Sequence, residues 1–213
     1  FLLPNCLAVI FIYLMATDTF TERAFDLITG IEAYNSPYAE TVGDPAEIAE
    51  ELTQAAALKT AAISAGLSLP TGVFSIFTIL PELFMVYRIQ GHLIKDIASL
   101  YGKETLVTKE LLIYCMFKQT SLHLVERLLE DVGTKIIIRP TTIRFVESLF
   151  QKLGMNLSKK LIRTQLLKWL PLLGAALTGG LTYLDTKYVA ATASGLFAKE
   201  ILIESGEIKQ NNE

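Results

Sequence analysis

Apolar positions along the chain recur mainly at the three-to-four-residue spacing of amphipathic α-helices. Alternation of apolar and polar residues, which is typical of a half-buried strand, does not persist over any long stretch. The β-branched run KIIIR at Lys135–Arg139 is short, and Pro140 follows it directly. The pattern therefore predicts an all-α fold, a single helical domain without a β-sheet.

Prolines, glycines and acidic residues mark the expected helix ends. Pro45 precedes an alanine-rich helix, Pro81 is expected at the first position of the next one, and Gly102 is expected to end that helix with a positive φ. About eight helices are predicted in this way: Asp18–Tyr34, Ala46–Leu67, Pro81–Tyr101, Leu106–Val132 (ending at Gly133), Thr141–Leu153, Leu157–Leu170 (after Gly154), Pro171–Leu184 and Asp185–Glu204.

Two uncharged segments interrupt the amphipathic pattern, and we call them the apolar elbows. The first, Thr60–Pro81, has 22 residues and is broken by Gly66, Pro70 and Gly72. The second, Trp169–Leu184, has 16 residues and contains Pro171, Gly174, Gly179 and Gly180. Neither resembles a straight transmembrane helix, which needs about 20 apolar residues. Three interpretations stay open: a buried centre of a soluble helical domain, a shallow or re-entrant membrane insertion, and true membrane spans.

Charge is strongly segregated along the chain, although the net charge is only −3. Residues 1–58 carry a net charge of −8, residues 59–199 carry +8, and the tail from Glu200 carries −3. The middle part suggests an anionic partner such as membrane lipid, and an exposed basic face or an intramolecular match to the acidic ends is the alternative. The residues expected to face lipid are Lys159, Lys160, Arg163 and Lys168.

Two motifs in the elbow regions carry a family resemblance. The run LPELFMVYRIQGHLIKDIASLYGKE and the run KWLPLLGAALTGGLTYLDTKYVAATASGLF resemble the EcsC family of bacterial helical proteins. A related group of helical domains fused to small GTPases shares part of the first run. The matching positions are Pro81, Glu82, Gln90, Leu93, Ile94, Ile97, Ala98, Tyr101, Gly102, Pro171, Gly174, Ala175, Asp185, Thr186, Val189 and Ala193. Family members often have Asn where Tyr183 stands here.

The resemblance implies a helical fold and a membrane-linked setting, because the family takes its name from a gene beside an ABC exporter. It implies no established reaction. The sequence is expected to divide into four parts. Residues 1–14 are expected to be a non-native upstream or clipped apolar segment, with a truncated signal anchor as the alternative. Residues 15–44 form an acidic helix and linker, residues 45–204 an EcsC-like helical domain, and residues 205–213 a polar tail.

The residue types of catalytic and metal sites do not form a recognisable motif. Cys115 and His123 are eight positions apart, which places them too far apart on one helix for a thiolate–imidazole pair. No HExxH or CxxC occurs, and GAALTGG at Gly174–Gly180 lacks the ending of a P-loop. We therefore predict no cofactor, no metal and no nucleic-acid partner. The polar residues bordering the elbows are either structural or line a ligand cavity: Glu82, Arg88, Gln90, Lys168, Asp185 and Thr186.

These observations favour a non-enzymatic, membrane-associated accessory or adaptor domain of the EcsC type. Its expected partners are membrane lipid or a membrane protein complex. Its expected location is cytoplasmic, peripheral or monotopic at the inner face of the cell membrane. Two other classes stay open: a soluble helical ligand-binding or interaction module, and a small hydrolase or lipid-modifying enzyme with acids at the elbows.

Overall fold

The protein is mostly helical, and 73% of the residues described lie in seven α-helices. The computed structural model describes residues 21–67, 75–120, 123–164 and 171–204, and of residues 75–80, 154–164 and 171–175 it describes the backbone only. The helices are α1 (residues 21–32), α2 (Pro45–Leu67), α3 (Ser75–Leu100), α4 (Lys109–Phe117), α5 (His123–Glu126), α6 (Ile143–Thr164) and α7 (Pro171–Phe197). Short 3-10 turns occupy Glu104–Leu106 and Lys118–Thr120. The predicted segments at residues 1–14 and 205–213 lie outside the described residues.

A small three-stranded sheet corrects the all-α prediction. Its strands are β1 (Leu129–Val132), β2 (Lys135–Ile138) and β3 (Glu200–Ile203), in the order β1-β2-β3. β1 and β2 form an antiparallel hairpin, and β3 pairs with β2 in parallel. The rejected KIIIR run is therefore the central strand, with Ile136 and Ile138 buried. The local pattern of apolar and polar residues could not reveal this strand, because its parallel partner β3 lies far away in the sequence, with Lys135 opposite Glu200.

Three predicted helix boundaries were wrong because the backbone continues through residues that often end helices. α3 begins at Ser75 and includes Pro81, which removes only one of the many backbone hydrogen bonds in a 26-residue helix. α6 continues past Gly154, and α7 continues from Pro171 through Gly179, Gly180 and Asp185. Glycine weakens a helix by about 1 kcal/mol and does not end it where packing compensates. The second elbow is therefore unbroken from Pro171 on, while residues 68–74 of the first lie outside the described residues.

The predicted long helix Leu106–Val132 is divided into shorter elements. Thr108 caps α4, since its side chain accepts a hydrogen bond from Leu111 N at 3.5 Å. α5 has only four residues, and β1 follows it after a turn at residues 127–128. Gly133 has a φ of +66° in the hairpin turn between β1 and β2, where it had been expected to end a helix.

The core lies around α3. Helices α2, α3 and α7 pack against one another, and α4 contacts both α3 and α7. Helix α1 packs on α3, where Ile31 fills the space that a Cβ at Gly91 would occupy. Phe25 of α1 meets Phe150 of α6 edge-to-face at 5.3 Å. The largest fully buried side chains include Phe150, Phe197, Ile94 and Ile97.

Gly102 confirms its predicted role as the residue that ends α3. Its φ is +65°, Gly102 N donates to Ser99 O at 2.8 Å, and Lys103 N donates to Ala98 O at 2.8 Å. This pair of hydrogen bonds is the Schellman arrangement. We expect Gly102→Val to lower the free energy of unfolding by more than about 1 kcal/mol, because β-branched residues avoid positive φ.

Urea denaturation followed by circular dichroism measures this effect. The matched control is Gly195→Val, since Gly195 lies on the exposed face of α7 with open space around it. The control is expected to change stability little. Equal loss of stability in both variants would contradict the role assigned to Gly102.

Candidate functional site

The interface between α2 and α7 is built from small and hydroxyl-bearing residues, and we call it the α2–α7 seam. Thr60 Oγ1 and Thr186 Oγ1 lie 2.8 Å apart, and Thr182 Oγ1 donates to Ser64 Oγ at 3.0 Å. Gly179 lets the two backbones approach closely, since a Cβ there would lie 3.0 Å from Ala61 O. Such packing through small residues, with hydrogen bonds between the helices, is common where helices associate in membranes.

Gln90 of α3 forms hydrogen bonds to the α7 side of the seam. Its side chain is fully buried, and its Nε2 donates to Asp185 Oδ2 at 2.8 Å and to Thr186 Oγ1 at 3.2 Å. Gln119 Nε2 donates to the second oxygen, Asp185 Oδ1, at 2.7 Å. Asp185, which sequence reasoning had placed at a helix start, thus lies inside α7 and binds side-chain amides in place of free backbone N–H groups.

The hydrogen bonds of the network have a defined direction. Thr60 Oγ1 donates its single hydrogen to Ala57 O at 3.1 Å, so Thr186 must donate to Thr60. Both hydrogens of the Gln90 amide are then used by Asp185 and Thr186. Gln90 Oε1 is buried and finds no hydrogen-bond donor among the residues described. Nearby, burial and then the charge of Asp185 raise the pKa of the Tyr87 phenol.

This geometry favours a structural network over an acid–base site. Both oxygens of Asp185 accept hydrogen bonds from neutral amides, and the neighbouring Tyr87 holds its proton tightly. Cys115 is fully buried, and burial raises the pKa of its thiol to about 12, so it is not a nucleophile at neutral pH. Within the described ranges, no group of three His, Cys, Asp or Glu side chains could hold a metal ion.

The structure brings together three of the sequence-predicted site residues: Gln90, Asp185 and Thr186. The other motif positions are distributed through the fold. Ile97 and Ala98 are fully buried in the core, Tyr101 and Gly102 end α3, and Pro81 and Glu82 lie within α3. Pro171 and Gly174 lie in the first turn of α7, where only the backbone is described.

Sequence reasoning missed Thr60 and Gln119. Thr60 could have been found, because Thr53, Thr60 and Ser64 are all buried on one face of α2 at spacings of seven and four residues. Gln119 lies in a short turn and left no comparable signal. Arg88 does not join the network. It lines a separate cavity with Tyr34 and His92.

The outward face of α7 is apolar and uncharged, and we call it the α7 face. Leu177, Leu181 and Leu184 are 60%, 66% and 62% exposed, and Tyr188 is 42% exposed. Among residues 176–197 of this helix, the other exposed residues are Ala176, Gly180, Ala191 and Gly195. The charged residues that α7 contains, Asp185 and Lys187, are half-buried and bond to Gln90 and Glu50 respectively. No charged side chain therefore projects from this face.

The four basic residues expected to face lipid lie in the region before α7. The backbone of α6 includes Lys159, Lys160 and Arg163, whose side chains lie outside the described residues, as does the whole of Lys168. Among the helices that the structure describes, none has the length and apolar content required to cross a bilayer.

Comparison of the chain with protein-family models, curated proteins and solved structures finds no match. The resemblance to the EcsC family therefore stays a prediction.

Proposed function

We propose that this protein is a non-enzymatic accessory or adaptor domain that associates with a membrane surface through the α7 face. The main observation behind this proposal is that Leu177, Leu181 and Leu184 are exposed on a helix face that carries no charge. Contiguous apolar patches on a protein surface mark interaction sites more often than isolated apolar residues do. Removing a leucine side chain from water contributes about 1.5–3 kcal/mol, so three such residues supply useful membrane affinity.

The distribution of charge along the chain supports membrane lipid as the partner of the α7 face. Ser148–Leu184, which leads into and includes half of α7, contains five basic residues and no carboxylate. Each basic residue close to an anionic membrane contributes about 1 kcal/mol. An apolar helix face preceded by a basic segment is the combination that interfacial helices use. The proposed location is peripheral, at the inner face of the cell membrane.

A soluble interaction module is the second candidate, because the spacing of the α7 face also suits a partner helix. Leu177, Leu181, Leu184 and Tyr188 follow one another at four, three and four residues, as the seam positions of a coiled coil do. A protein partner would bury the same side chains. The two candidates differ in whether lipid alone is sufficient for binding.

The experiment is vesicle flotation with a triple variant, Leu177→Gln, Leu181→Gln and Leu184→Gln. We expect its partition onto vesicles of phosphatidylcholine and phosphatidylglycerol to fall by at least about tenfold, because the apolar contribution is lost. Thermal stability is expected to stay unchanged, since all three side chains are exposed. The matched control changes three scattered exposed apolar residues to Gln: Val132, Ile143 and Ile203.

Wild-type binding by the triple variant would overturn the membrane proposal for this face. Failure of the wild-type protein to float, together with an oligomer in sedimentation that the triple variant dissociates, would favour the interaction module. The electrostatic part is tested in the same assay by Gln replacement of Lys159, Lys160, Arg163 and Lys168. Those replacements are expected to release the protein at lower salt than the wild type.

A further inference from the structure

A cavity of about 320 Å³ lies between the last turn of α1 and the middle of α3, and its lining includes no residue of the α7 face or the α2–α7 seam. Its lining consists of Gly30, Ala33, Tyr34, Arg88 and His92. Gly30 and Ala33 are small, and this leaves room between the two helices. The volume is at the lower end of the range that small-molecule sites occupy.

The aromatic wall of this cavity is held in a fixed position. The Tyr34 ring stacks on the His92 imidazole with 3.9 Å between centroids and 6° between planes. Tyr34 Oη donates to Asp96 Oδ1 at 3.0 Å, and Ser36 Oγ donates to the same oxygen at 2.8 Å. Lys95 Nζ also holds the chain after α1, because it donates to the carbonyl oxygens of Glu32 and Tyr34. The wall is therefore organised before any ligand arrives.

Arg88 supplies a cation at the cavity. Its side chain is exposed, and within the described part of the chain it makes no ion pair or hydrogen bond. Lys59 and Lys95 are the other cations whose charge acts on His92, and Asp96 is the opposing anion. Lys95 lies 3.8 Å from Glu104, and Asp96 is already bonded by Tyr34 and Ser36. Among these charged groups, the three cations Arg88, Lys59 and Lys95 outnumber the two anions Asp96 and Glu104.

His92 complements Arg88 as a neutral donor. Burial lowers the pKa of His92. The nearby cations Arg88, Lys59 and Lys95 lower it further, whereas the charge of Asp96 raises it. A neutral imidazole carries one N–H, which donates to an acceptor without needing a counter-charge. An arginine fork beside a neutral N–H donor suits a small oxyanion, because guanidinium geometry matches phosphoryl oxygens.

The geometry points to a binding site for a phosphoryl oxyanion in this cavity, with Arg88 as its charged ligand and His92 as a hydrogen-bond donor. Two sources carry this chemistry: a soluble phosphate and the headgroup of a phospholipid. The site is distinct from the α7 face, so it does not depend on the membrane proposal.

The first test titrates inorganic phosphate into the protein and follows the imidazole signals by NMR, with sodium chloride of matched ionic strength as the reference. The chain has two histidines, and His123→Gln assigns their signals. We expect a saturable shift of the His92 signals. Arg88→Gln is expected to weaken the apparent affinity for phosphate by at least about tenfold, because a charge-assisted bond is lost.

The matched control is Arg144→Gln, since Arg144 is an exposed arginine on α6. It is expected to bind phosphate as the wild type does. Absence of a saturable shift at His92, or equal affinity of Arg88→Gln and wild type, would overturn the proposed site. If sodium chloride shifts the signals of both histidines as phosphate does, the shift is a general effect of salt, and this outcome would also overturn the proposed site.

The second test identifies the source of the oxyanion with phosphatidylcholine vesicles that contain or lack phosphatidic acid. Preferential loss of phosphatidic acid binding by Arg88→Gln, relative to Arg144→Gln, identifies a lipid headgroup. Phosphate binding with unchanged vesicle binding identifies a soluble phosphate. The triple variant of the α7 face is expected to retain phosphate binding, so failure of one proposal leaves the other distinguishable.

Discussion

Gln90→Glu is expected to lower the free energy of unfolding at neutral pH by about 3–5 kcal/mol, because it places an unpaired charge in a buried site. The substitution changes one side-chain amide to a carboxyl group of the same shape. Gln90 Nε2 lies 2.8 Å from Asp185 Oδ2, and Gln90 is fully buried. Two carboxylates at that distance cannot both ionise without a large penalty.

The pH dependence of this variant has a definite sign. Burial and the neighbouring Asp185 hold the pKa of the introduced carboxyl group above its value in the unfolded chain. The destabilisation is therefore full above the folded-state pKa and decreases as the pH falls through it. As the pH is lowered from neutral, the denaturation midpoint of Gln90→Glu is expected to approach that of the wild type.

Gln119→Glu is the matched control, since Gln119 Nε2 donates to the other oxygen of the same carboxylate at 2.7 Å from an exposed position. Solvent screens charges there, and we expect a loss below about 1 kcal/mol. Similar losses in the two variants would show that burial of Gln90 does not govern the effect.

Gly179→Val is expected to lower the free energy of unfolding by about 2–3 kcal/mol through overpacking of the α2–α7 seam. A Cβ at this position would lie 3.0 Å from Ala61 O and 3.2 Å from Ala65 Cβ. Ala61 O is a backbone atom of α2, so relief requires movement of a helix. Valine has a better helix propensity than glycine, and this offsets only about 0.4 kcal/mol of the loss in stability.

The adjacent glycine provides the control for this substitution. Gly180 is exposed and has open space around it, so Gly180→Val is expected to change stability by less than about 0.5 kcal/mol. Urea denaturation of both variants measures the difference. A loss of stability for Gly180→Val as large as that for Gly179→Val would exclude close helix approach as the cause.

The candidate site was only partly predictable. The family resemblance and the positions beside the elbows point to Gln90, Asp185 and Thr186, and the structure joins Gln90 to Asp185 across 95 positions of sequence. Thr60 completes the network from α2, where a face of buried hydroxyl residues was present but not recognised. The cavity at Arg88 and His92 was not predicted, because its wall depends on Tyr34 of the segment that follows α1. Spacing within one helix does not reveal which neighbour that helix meets.

Local chemistry allowed the sequence to determine the helical character of the chain, the bounds of α2 and the end of α3. The hydrogen bonds of a helix link residues four positions apart, and those that end α3 join Gly102 and Lys103 to Ser99 and Ala98, which are close in sequence. Tertiary structure decided the features that need distant partners. These are the parallel pairing of β2 with β3, the continuity of α3 and α7 through Pro81 and the glycines, and the burial of Gln90 against Asp185. Their energies come from packing and hydrogen bonds between segments far apart in sequence, which local patterns do not encode.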